Sequence, residues 1–146
     1  MTYNEITNYL TSLLQSHAMI NSVRFATPTE WLAWDEQPVL PVALFGINSG
    51  NINLGREITY QITIWYLDKS GVEGEFETDV ISDQHQIAGD IIATIRQNRL
   101  LVIDDNITWN AVSEKFEDYL SGVTMTFSIS TKGEFNACDF PIKIVP

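Results

Sequence analysis

The sequence predicts a single α+β domain: a mainly antiparallel β-sheet with two amphipathic helices packed on one face. Three observations carry this. Residues 57–68, EITYQITIWYLD, alternate with period two. Ile58, Tyr60, Ile62, Ile64 and Tyr66 fall on one face, and Thr59, Gln61, Thr63, Trp65 and Leu67 on the other. Residues 2–17 and 78–98 instead repeat their apolar positions at helical spacing. The remaining strand patterns are joined by short turns, which suits antiparallel pairing. The 57–68 strand is longer than usual and rich in β-branched and aromatic residues, so it is placed at the centre of the sheet. Its second face begins polar and turns apolar at Trp65 and Leu67, so that end is expected to be covered on both sides.

Composition bounds the rest. A chain of 146 residues with 45% hydrophobic content can bury a real core as one domain. No apolar run approaches the roughly 20 residues needed to cross a bilayer, and residues 1–10 lack the pattern of a signal peptide, so no membrane association is expected. The lone Cys138 excludes an internal disulfide and reads as a small core residue. Eight basic residues against 19 acidic ones give a net charge of −11, spread along the chain. Such a surface repels phosphate backbones and gives no drive for ordinary nucleic-acid binding.

The first helix carries Ile6, Tyr9, Leu10, Leu13 and Leu14 on one stripe, and Thr2 with Glu5 has the form of a capping box. Residues 23–27 read as a short strand. Residues 28–38 are loop-like and hold Trp31 and Trp34, which suit the core and an interface equally, tryptophan being enriched at interface hot spots. Residues 39–47, VLPVALFGI, read as a buried strand in which Pro41 suits an edge or bulge. Residues 48–56, NSGNINLGR, then form a turn-rich hairpin tip that extends from the body, carrying Asn51, Asn53 and Arg56. Its spacing lacks the Gly-Lys-Ser/Thr ending of a phosphate loop.

A second glycine-containing loop spans 69–76. The second helix follows, with Val80, Ile81, Gln84, Ile87, Ala88, Ile91, Ile92 and Ile95 on its stripe. Glu77, Asp79 and Asp83 crowd its start, and Arg96 and Arg99 close it, which complements the helix dipole. Residues 101–104 and 107–116 are expected to pair around Asp105-Asn106, and 117–122 to turn. Residues 123–130 alternate Val123, Met125, Phe127 and Ile129 with Thr and Ser, the pattern of a half-buried antiparallel strand. Residues 132–146 read as a C-terminal extension able to dock on a neighbour.

No reaction is legible. The acidic pairs Asp104–Asp105 and Glu117–Asp118 fall in turns, and Asp68 with Glu73–Glu77 lacks the ligand spacing of a calcium loop. His17 and His85 lie in different helices and share no motif, so no metal site and no cofactor are expected.

The order of elements nevertheless resembles a known family. An amphipathic helix, a small strand, the Trp/Pro-rich segment, an apolar strand, a glycine-rich hairpin, the long strand ending TIWYLD, an Ile-rich helix ending QNR and a terminal antiparallel pair follow one another over residues 3–129. This layout resembles the tail-terminator, tail-completion and minor-tail proteins of tailed bacteriophages and the related neck, or head–tail connector, ring proteins. The resemblance implies a non-enzymatic structural protein of the virion, made in the host cytoplasm. It implies a homo-oligomeric ring of six or twelve subunits that meets neighbouring neck, portal-adaptor or tail proteins and lets genomic DNA pass without specific binding. Trp31 and Trp34 are then the expected interface anchors, with Asn51, Asn53 and Arg56 reaching the next subunit and Arg56 pairing with one of its acidic groups. The reading from another class is a monomeric acidic binding module, or DNA mimic, that blocks a basic host protein. A carboxylate-based hydrolase is a third and weaker one.

Overall fold

The computed structural model describes residues 1–26, 39–53, 56–71, 76–115, 120–133 and 141–143. Helix α1 spans Tyr3–Ser16 and strand β1 Ser22–Phe25. Strands β2 (Val42–Asn53) and β3 (Glu57–Lys69) follow, then helix α2 (Glu77–Arg96). Strands β4 (Val102–Ile103), β5 (Thr108–Lys115) and β6 (Leu120–Lys132) complete the described elements. The α+β class and the mainly antiparallel sheet agree with the sequence.

Strand order is β1-β2-β3-β6, with β4 and β5 both on the far edge of β6. Only β1 and β2 run parallel; every other pair is antiparallel. Strand β3 is central, paired over its whole length with β6 from Glu57↔Lys132 to Lys69↔Leu120. Both helices lie on one face: α2 packs on β6 and β3, and α1 on β1.

Helix α1 starts as its sequence dictates. The Glu5 N–H donates to Thr2 Oγ1 at 3.2 Å and the Thr2 N–H to Glu5 Oε2 at 3.0 Å, so two orphan donors are satisfied reciprocally. Its stripe buries Ile6, Leu10 and Leu14 against Ala43, Phe45, Ile62, Ile64, Tyr66, Met125, Phe127 and Ile129. Helix α2 adds Ile87, Ala88, Ile91, Ile92 and Ile95 to the same core. Each fully buried Leu or Ile contributes about 1.5–3 kcal/mol. On the other sheet face a second, smaller core joins Val42, Leu44, Leu67, Val112 and Leu120, with Trp65 partly buried against it. The sequence expectation for that end of β3 holds.

Several boundaries differ from those read in the sequence. Residues 48–53 are not a loop: they continue β2, in register with β3 from Ser49↔Gln61 to Asn53↔Glu57 after a bulge between Ile47 and Ser49. Polar Asn and Ser there satisfy the ladder because the arm is solvated, where burial would exclude them. Strands β4 and β5 do not pair with each other; both pair with β6, Ile103 opposite Ile129 and Thr108 opposite Thr126. The intervening 104–107 turn keeps its Asx bond, the Asn106 N–H donating to Asp104 Oδ1 at 3.0 Å, but steps along one edge without reversing the chain. Leu120 to Gly122 belong to β6 and are buried. Trp31, Trp34 and Cys138 lie outside the described residues, as do 54–55, 72–75 and most of 132–146.

Candidate functional site

The half of the β2–β3 hairpin that runs past β1 is the most distinctive surface. Strand β1 covers only Val42 to Phe45 of β2, so from Gly46 to Asn53 β3 is the sole described partner of β2. That free edge, GINSGNIN, carries neither a charge nor a proline, two of the usual protections of an edge strand; its bulge beside Asn48 is a third. On the helix side of this arm an open groove of about 550 Å³ is lined by Tyr3, Ile47, Ile52, Ile58 and Tyr60. Ile52 is 68% exposed. Tyr3 stands edge-on to both Phe25 and Tyr60, with centroids 6.3 and 6.4 Å away, so the groove has an aromatic wall.

The other face of the arm is a carpet of uncharged polar side chains. Asn48 Nδ2 donates to Thr63 Oγ1 at 2.8 Å and Ser49 Oγ to Gln61 Oε1 at 2.9 Å. The Thr59 and Ser130 hydroxyls meet at 3.0 Å, and those of Thr63 and Thr126 at 3.3 Å. Register places Thr124, Thr126, Ser128 and Ser130 of β6 beside Trp65, Thr63, Gln61 and Thr59 of β3. A flat face of short hydroxyls and amides offers shape and hydrogen bonds, and its charges, Glu57 and Lys132, stand only at the end of the register.

The sequence-predicted residues separate on this frame. Asn51 and Asn53 are exposed on β2, opposite Thr59 and Glu57. Arg56 sits at the hairpin turn with φ 71°, a left-handed conformation uncommon for a side chain of its size. Two backbone bonds hold it there: its N–H donates to the Asn53 carbonyl at 3.0 Å, and its carbonyl accepts from Gly133 N–H at 2.8 Å. The three residues therefore share one end of the sheet.

That same end joins Arg56 to residues that the sequence did not assign to a site. An open cleft of about 520 Å³ is lined by Arg56, Glu57, Arg99, Leu100, Val102 and Lys132, among others. No signal along the chain joins them, because they come from a turn, the segment after α2, and the last residues of β6. His17 was missed as well: its Nε2 lies 3.0 Å from Asp90 Oδ2, tying the end of α1 to α2. Its Nδ1 accepts from the Met19 N–H at 3.1 Å, which puts the ring proton on Nε2, facing the carboxylate. His85 is a surface residue, its ring edge-on to Trp109 at 4.7 Å.

Three groups on or beside the core have perturbed titration; the Tyr60 phenol is raised by burial and then by the charge of Glu5. Burial pushes the Tyr66 phenol well above its usual range, and its hydroxyl has no hydrogen-bond partner among the described residues. The Asp68 carboxyl is raised, first by burial and then by the neighbouring charge of Asp83, against the lowering effect of the Lys69 N–H. Among the described residues no group of three His, Cys, Asp or Glu is placed to hold a metal ion. No helix among them is long and apolar enough to cross a membrane. Comparison with known protein families finds no family to which the chain matches, and comparison with curated proteins finds no similar sequence.

Proposed function

We propose that this chain is a structural virion protein of a tailed bacteriophage that self-assembles into a ring at the neck or the head-proximal end of the tail. In this reading it joins or terminates tail components and acts by packing, without chemistry. The observation that carries it is the half of the β2 edge, Gly46 to Asn53, that no other described strand covers. An eight-residue strand edge free of charge and proline, flanked by an exposed apolar groove, is an association surface that a monomer would have to protect. The hydroxyl face, charged only at its Glu57–Lys132 end, suits a surface that DNA slides past, and the net charge of −11 gives the duplex no reason to stay. The order of elements that resembles the tail-terminator and neck proteins supplies the virion context. Six or twelve subunits are expected, with the segment that follows β6 docking on a neighbour.

A second reading has its own observation. Asp79, Asp83 and Asp90 are exposed at positions i, i+4 and i+11 of α2, one acidic stripe along a rigid helix. A monomeric module with that stripe would mimic a phosphate backbone and block a basic host protein.

Light scattering over a range of concentration and salt, with negative-stain microscopy of the same fractions, separates the two. A closed species of six or twelve subunits is the expected result. A monomer at every concentration that captures a basic protein from host extract would overturn the ring in favour of the mimic.

A further inference from the structure

The ends of β3 carry opposite charges. At one end Arg56, Arg99 and Lys132, three of the eight Lys and Arg residues of the chain, line the 520 Å³ cleft, with Glu57 the one acid among its described lining residues. None of the three cations forms an ion pair with another described residue. At the other end the Phe76 N–H donates to the Ser70 carbonyl at 2.9 Å, which pins the start of α2 beside the end of β3. Asp68, Glu77, Asp79 and Asp83 gather there with Lys69, and Asp83 is close enough for its charge to act on Asp68. Helix α2 alone separates the two ends by about 30 Å.

The helix dipole accounts for acids at the start of α2 and for Arg96 and Arg99 near its end. It does not account for Arg56 in the hairpin turn or for Lys132 and Asp68 in the sheet, which repeat the same polarity. The basic end is also not built as a phosphate site. Leu100 and Val102, each 69% exposed, line it, and exposed apolar surface beside arginine is the composition of a protein interface.

We propose that this cleft is the docking site for the acidic end of a second copy of the chain, where Asp79 and Asp83 meet Arg56, Arg99 and Lys132. The contact joins two different patches of the same molecule, so it is head-to-tail; repeated around an axis, it closes a ring. Charge complementarity selects the partner: the protein as a whole is acidic, and its basic cleft is matched by its own opposite end. Leu100 and Val102 lose their exposure in the contact, and the charges set its register.

The proposal rests on the self-association reading, and the test keeps the two apart. Three samples are compared by light scattering: wild type, an Arg56→Ala/Arg99→Ala variant and an Asp79→Asn/Asp83→Asn variant. All changed positions are exposed, and circular-dichroism melting confirms that each variant folds. Wild type is expected to assemble, less so as salt is raised. Each variant alone is expected to be monomeric, its dissociation constant raised roughly tenfold or more. An equimolar mixture of the variants is expected to give a heterodimer and nothing larger, because one intact basic end then meets one intact acidic end. A wild type that never associates overturns the self-association reading, and the docking proposal with it. A wild type that assembles while the folded variants assemble equally well, or while their mixture stays monomeric, overturns the docking proposal alone.

Discussion

The two halves of β3 are one strand in two environments. From Ile64 to Leu67 it is clad on both faces, with Ile64 and Tyr66 under the helices and Leu67 in the second core. From Glu57 to Gln61 it runs through the arm, with Tyr60 in an open groove and Thr59 and Gln61 on a hydroxyl face. The clad half holds the fold together, and the open half is free to be covered by something else. Alternation is common to both halves; what changes is whether the second set of side chains is apolar.

Two glycines test that contrast most severely. A methyl group at Gly122 would overlap the Tyr66 carbonyl, and one at Gly50 would overlap the Thr59 carbonyl. The local geometry is alike, but Gly122 lies buried in β6 between β3 and β5, whereas Gly50 lies where β3 is the only described partner of β2. Gly122→Ala is therefore expected to cost about 4 kcal/mol or more, since neither neighbour can retreat. Gly50→Ala is expected to cost about 1–2 kcal/mol, because β2 can move outward there. Urea denaturation measures both, and equal losses would mean that the arm is as constrained as the core.

Two tyrosines of β3 give a smaller contrast of opposite sign. The Tyr66 hydroxyl is buried without a partner among the described residues, and an unsatisfied buried polar group costs about 1–3 kcal/mol. Tyr66→Phe keeps the ring and removes that cost, so it is expected to raise the midpoint of thermal unfolding. Tyr60 is half-buried and its hydroxyl makes one long bond, 3.4 Å to the Met1 carbonyl. Tyr60→Phe is expected to change stability by less than about 0.5 kcal/mol. A Tyr66→Phe protein less stable than wild type would show that the hydroxyl finds water inside the core.

Much of this was legible in the sequence, for physical reasons that also mark its limits. The period-two run through Tyr66 and the 3.6-residue stripes of both helices report burial directly, so the central strand, the helix-covered face and the double-clad end were readable. Residues 48–53 were not, because Asn, Ser and Gly favour turns and only pairing with Gln61 to Glu57 makes them strand. The interrupted edge of β4 and β5 was missed for a related reason. A turn signal at Asp105-Asn106 states that the chain bends, and says nothing of which strand it returns to. Of the site, Arg56 and the arm asparagines could be picked out because they cluster in sequence. Arg99, Lys132 and the acidic end were hidden, since β-sheet register and the length of α2 alone bring each group together.

The clad end also carries the one carboxylate whose titration tests the contrast by charge. Asp68 is raised above its ordinary value of 3.8, first by burial and second by Asp83. The folded protein therefore binds this proton more tightly than the unfolded chain. Stability from this group is fully present below pH 3.8 and is lost as pH rises through the folded value, so at neutral pH the ionised form penalises the fold. Asp68→Asn removes that penalty while keeping an oxygen for the Lys69 N–H, which now reaches Asp68 Oδ1 at 2.8 Å. The variant is expected to be more stable than wild type at neutral pH, with the difference shrinking to nothing as the pH falls below 3.8. Asp83→Asn should bring the Asp68 titration, followed by carboxyl carbon NMR, part of the way back down and leave the share due to burial. An Asp68 titration that does not respond to Asp83→Asn would break the link between the end of β3 and the start of α2, and the acidic end with it.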